Sequence, residues 1–278
     1  METRNDNTES ILKLIKLPDL LSILNALFGF SAILIVLSGV NEEVIEKALV
    51  FILVAAVIDG LDGMVARNME CSSLGKYLDS LADMVSFGVA PAIVAYAFLN
   101  VYYTYVSLAL CGAYMISGML RLARFDAKET RFSFSTNLSL CGAPPHDPAS
   151  PVRAYKKALP KKLLEKEKEY FEGFPITGSA IFLASFMLVF IELHLPFYPY
   201  SSLLIALIGI LCLLMTSRIR YRNMRDGKIV IPVGIVFFMQ FFFYKFVPLH
   251  FVYPAAVIFA LSVFYICSPI VRVFALRK

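Results

Sequence analysis

Apolar runs of about 20 residues dominate this chain, and they leave it one kind of solvent. The runs recur at about 19–39, 44–66, 76–98, 103–124, 176–194, 200–217, 229–247 and 251–272. Each can cross the ~30 Å hydrocarbon core of a bilayer as a helix, which satisfies its backbone polar groups within one segment. Composition agrees: 59% of residues are hydrophobic and 17% charged, with a mean hydropathy of +0.72. That is too little charge to cover a soluble domain. The expected fold is an all-α integral membrane protein, with about eight transmembrane helices in one domain over 1–278. Residues 1–17 form an expected interfacial segment. Over 8–17, Thr8 is a plausible N-cap, Ile11, Leu12, Leu14 and Ile15 alternate with Lys13 and Lys16, and Pro18 stops the helix.

Charge sets the expected orientation. With both termini in the cytoplasm, all but Lys47 and Lys245 of the 26 lysines and arginines fall on the cytoplasmic side. The N-terminus, with Glu2, Asp6 and Glu9, does not read as a cleaved signal. Residues 125–175 are the one sizeable polar region and are expected as a long cytoplasmic loop. Ser133–Ser150, with Pro144, Pro145 and Pro148, reads as irregular, and Pro160–Tyr170, dense in Lys and Glu, as a segment able to form a helix on the membrane surface; the region reads first as a solvated charged loop, with attraction to anionic headgroups as the alternative. Membrane lipids, not nucleic acid, are the expected surroundings. Cys71, Cys111, Cys141, Cys212 and Cys267 show no paired spacing, and His146, His194 and His250 stand far apart. Neither a disulfide framework nor a zinc site follows. The chemistry must rest on carboxylates and arginines.

Those carboxylates stand together in DGLDGMVARNMECSSLGKYLDSLAD, residues 59–83. Asp59 and Asp62 end the second span on its cytoplasmic side, and Asp79 and Asp83 begin the third. Spacings of three and four put each pair on one helix face. A turn at 67–75 makes the two helices antiparallel neighbours, so four carboxylates are expected to converge. An ionisable cluster at membrane depth is functional by default. An all-oxygen donor set favours a hard cation such as Mg²⁺ or Mn²⁺, and two such ions suit displacement at phosphorus. Gly60, Gly63 and Gly75 permit close approach of helices or substrate. Arg67 offers a bidentate fork for phosphate oxygens.

The pattern D-x2-D-G-x2-A-R-x7-G-x3-D-x3-D, filled by Asp59, Asp62, Gly63, Ala66, Arg67, Gly75, Asp79 and Asp83, resembles the signature of the CDP-alcohol phosphatidyltransferases. The resemblance implies two divalent ions on the four aspartates, with Asp83 also the general base. It implies contacts from Gly63, Ala66, Arg67 and Gly75 to the CDP-lipid. Asp83 would take the proton of an acceptor hydroxyl as that oxygen attacks the lipid-linked phosphorus and CMP leaves.

Four further segments resemble the phosphatidylserine synthase branch in order. They are Ser86–Pro91, Leu120–Phe125, Tyr170–Ile176 and Ser217–Tyr221. The implied reaction transfers a phosphatidyl-type group from a CDP-activated diacylglycerol or archaeol lipid to L-serine, and the resemblance implies a homodimer. Residues 127–168 make a longer loop than that branch has, and Asp19 stands where Asn is expected after Pro18. Arg121 and Arg124, then Arg218 and Arg220, read either as positive-inside anchors or as a grip on serine carboxylate or pyrophosphate. Ser86, one turn beyond Asp83, reads as a substrate or a helix-packing contact. Two alternatives are a phosphate-bearing acceptor, glycerol phosphate or an inositol phosphate, and a cation transporter using the carboxylates as an ion path.

Overall fold

The structure, a computed structural model, describes residues 16–65, 75–140, 170–193, 197–222 and 252–275. These are helical except for one short two-stranded ladder. In chain order they form α1 (Leu17–Leu37), α2 (Glu42–Val65), α3 (Gly75–Asp83), a π-helical turn (Met84–Val89), α4 (Ala90–Leu140), β1 (Tyr170–Glu172), α5 (Ile176–Glu192), α6 (Phe197–Thr216), β2 (Arg220–Arg222) and α7 (Val252–Ala275). Among the described residues, four stretches are long and apolar enough to cross a membrane: Leu17–Leu37, Glu42–Val65, Gly75–Asn100 and Tyr103–Ala127. The last two meet at Tyr103, whose φ of −138° and ψ of 55° break the helix. Shorter apolar helices, Ile176–Glu192, Ser201–Thr216 and Ala255–Ser268, lie within three more of the apolar runs but are shorter than the four above. The expected span at 229–247, the amphipathic segment up to residue 15, and residues 141–169 lie outside the described residues.

One boundary differs from expectation. The loop expected from residue 125 starts later, because α4 continues as helix to Leu140. No proline stands between Pro91 and Pro144, and no glycine between Gly118 and Gly142. Polar residues there mark contact with water, and nothing in the backbone chemistry stops the helix.

Helix α1 begins with Pro18 in its first turn, where the missing N–H is harmless. The buried Asp19 carboxylate accepts from the Lys16 backbone N–H at 2.8 Å, so this residue acts as a helix cap. Helix α1 packs on both α2 and α3, and α2 also packs on α5. The π turn is the pivot of this arrangement. Pro91 lies four residues after Phe87 and has no N–H, so the Phe87 carbonyl loses its ordinary helical donor. Tyr114 supplies a substitute, its hydroxyl donating to the Phe87 carbonyl at 3.2 Å and lying 2.9 Å from Ser179 Oγ. Gly29 lets α1 touch the turn: a Cβ there would lie 2.4 Å from Ser86 Oγ.

A second tie joins the later helices. The strands pair antiparallel, with Phe171 opposite Tyr221. Gly173, at φ 85°, donates to the Ile219 carbonyl at 2.8 Å. Phe174, Tyr221 and Tyr265 then pack as a ring cluster with centroids 5.3 to 5.8 Å apart.

Candidate active site

Asp59, Asp79 and Asp83 each present a carboxylate oxygen, and all three oxygens lie within 4.8 Å of one another. The helix spacings explain this: Asp79 and Asp83 are one turn apart on α3, and Asp59 reaches them from the last two turns of α2. Asp83 is 7% exposed, while Asp59 and Asp79 are half-buried. Two full negative charges 4.8 Å apart repel by about 3 kcal/mol at an effective dielectric of about 20. Three such charges crowded into one small volume require compensation. With oxygen as the sole donor type, the chemistry of this set fits a hard divalent cation.

Asp62, the fourth expected member, is buried, and its Oδ2 accepts from Ser22 Oγ at 2.5 Å. It stands one turn from Asp59 but outside the group of three.

Polar side chains from two other helices hold the aspartates, and sequence reasoning did not single them out. Ser22 holds Asp62, Asn25 donates through Nδ2 to Asp83 Oδ1 at 3.3 Å, and Thr177, at the start of α5, donates to Asp59 Oδ2 at 3.3 Å. Ser22, Asn25 and Gly29 lie three and four residues apart, one stripe of polar and small residues on an apolar helix. That periodicity was the available signal.

The remaining expected residues are dispersed. Among the described residues, nothing lies within 4 Å of a Cβ built on Gly63, and Gly75 opens α3. Ala66 and Arg67 lie outside the described residues. Ser86 is fully buried, its hydroxyl donating to the Asn25 carbonyl at 2.8 Å, which is a helix-packing contact. Arg121 is half-buried, within electrostatic reach of Tyr265. The Arg124 guanidinium donates to the carbonyls of Thr216 at 3.0 Å and Ser217 at 3.3 Å, closing the C-terminal end of α6. Arg218 is exposed, and Arg220 belongs to β2. Lys76 ties the start of α3 to the end of the fourth span, donating to the Asp126 carbonyl at 3.3 Å.

The family model of the CDP-alcohol phosphatidyltransferases matches residues 15–142, a stretch containing all four aspartates in their signature order. Residues 15–142 are a CDP-alcohol phosphatidyltransferase domain. Over 123 residues the chain is 40% identical to the archaetidylserine synthase of Methanothermobacter thermautotrophicus, covering 43% of this chain and 51% of that protein. It is 31% identical over 178 residues to the CDP-diacylglycerol–serine O-phosphatidyltransferase of Helicobacter pylori, covering 64% and 61%. The enzyme of the same description from Saccharomyces cerevisiae is 31% identical over 179 residues, covering 63% and 54%. The chain thus spans about half to three-fifths of the length of these relatives. The phosphatidyltransferase domain contains α1 to α3, the π turn and α4, and so supplies every aspartate together with Ser22 and Asn25. Thr177 reaches the site from beyond it.

Proposed function

We propose that this chain transfers a phosphatidyl-type group from a CDP-activated lipid to the hydroxyl of L-serine, releasing CMP. The observation that carries the proposal is the convergence of Asp59, Asp79 and Asp83 within 4.8 Å inside a CDP-alcohol phosphatidyltransferase domain. Asp83 takes the proton from the acceptor hydroxyl. That oxygen forms a bond to the lipid-bearing phosphorus, and the bond from this phosphorus to the CMP phosphate oxygen breaks. Asp59, Asp62, Asp79 and Asp83 would hold two divalent ions, Mg²⁺ or Mn²⁺; bound there, the ions supply neutralisation of pyrophosphate and leaving-group charge. Gly63, Ala66, Arg67 and Gly75 contact the CDP moiety. That no described residue lies within 4 Å of a Cβ built on Gly63 accords with that role.

Serine as acceptor is supported by the four branch-like segments and by the names of the three relatives above. The same reading has about eight spans, with the site and both termini on the cytoplasmic face and a homodimeric assembly. The test is purified full chain in detergent or nanodiscs with CDP-diacylglycerol or CDP-archaeol, Mg²⁺ or Mn²⁺, and L-serine, glycerol 3-phosphate or an inositol phosphate in separate reactions. We expect CMP release and a lipid product of serine-adduct mass in the serine reaction alone. A phosphate-bearing product would change the acceptor, and no CMP with any acceptor would remove the transferase assignment.

A further inference from the structure

We propose that Asn25 is a positioning residue for the Asp83 carboxylate. The inference rests on the reading of Asp83 as the base. Asn25 lies on α1, is 1% exposed, and donates from Nδ2 to Asp83 Oδ1 at 3.3 Å. Its own backbone carbonyl is fixed by Ser86 of the π turn at 2.8 Å, one helical turn beyond Asp83. Close packing of Gly29 against Ser86 sets the height of α1 against the same turn. The donor therefore stands on a rigid frame, anchored to the element that follows its target. An amide held this way restrains rotation of the Asp83 carboxylate about its last bond, and a base must meet its proton at a defined distance and angle.

The other end of the amide separates positioning from simple helix packing. Asn25 Oδ1 is buried and, among the described residues, has no hydrogen-bond partner. A buried acceptor without a donor destabilises a fold, and a leucine of similar volume would fill the same space without that cost. Packing alone does not account for asparagine here; its donor directed at Asp83 does. Ser22 repeats the logic one turn earlier, on Asp62, which makes α1 the helix that holds one carboxylate from each aspartate pair.

The experiment compares Asn25→Leu, Asn25→Gln and Asp83→Asn in the full chain, with CDP-lipid binding measured alongside steady-state kinetics. Asn25→Leu is expected to lower kcat by about 10- to 100-fold, with KM and Kd for CDP-lipid held within about threefold. Asn25→Gln, which keeps an amide donor, is expected to recover part of kcat. Retained CDP-lipid binding shows that each variant is folded. Wild-type kcat in Asn25→Leu, or a loss of CDP-lipid binding in proportion to kcat, overturns the positioning role. Normal turnover in Asp83→Asn overturns the base assignment instead, so the two failures are distinguishable.

Discussion

Asp83 is 7% exposed and lies close to two other carboxylates, and the Asn25 amide donates to it at 3.3 Å. Asp83→Asn keeps the shape of the side chain and removes its basicity. It is expected to cut turnover by about 10²- to 10⁴-fold while leaving CDP-lipid binding largely intact, as measured by single-turnover CMP release and by equilibrium binding. The aspartates were legible because their chemistry demands one residue type at helical spacing. Ser22, Asn25 and Thr177 were not, because a lone hydroxyl or amide in a span reads equally well as interhelical glue until its partner is seen.

At the scale of elements, prolines and arginines have positional meaning that a hydropathy trace misses. Pro91 costs the Phe87 carbonyl its donor, and the chain answers with a π turn and the Tyr114 hydroxyl. Arg124 was open to reading as a grip on substrate, but its guanidinium holds the carbonyls of Thr216 and Ser217 at the C-terminal end of α6, where a cation also suits the helix dipole. Arg124→Ala is therefore expected to destabilise the protein by about 1–3 kcal/mol, seen as a lower Tm in detergent, with KM for serine unchanged. A raised KM at constant Tm would instead assign the guanidinium to substrate. The extension of α4 to Leu140 has the same moral. A drop in hydropathy marks where a helix leaves the apolar environment, while its end depends on breakers and caps.

Taken as a whole, the molecule concentrates negative charge where several helices meet, so its stability should depend on cations. Removal of divalent ions with EDTA is expected to lower Tm and abolish turnover, and Mg²⁺ or Mn²⁺ to restore both. Binding to the folded state alone contributes about 2.7 kcal/mol at a concentration one hundred times Kd. Asp79→Asn should shrink this metal-dependent increment in thermal melts. Equal melts with and without metal in the wild-type chain would mean that the carboxylates are compensated by other means.

Legible in the residues alone were the apolar helical character, four helices among the described residues long enough to cross a bilayer, and the facing of each aspartate pair along its helix, since each follows from local periodicity: 20-residue apolar runs for a bilayer and i, i+3, i+4 spacing for a helix face. Tertiary structure decided which three carboxylates share one small volume, that Asp62 turns to Ser22, that Arg124 closes a helix end, and that α1 carries the donors. Those outcomes depend on distances between residues 40 to 118 positions apart in the chain, and a periodicity within one helix holds no information about which neighbour it will meet.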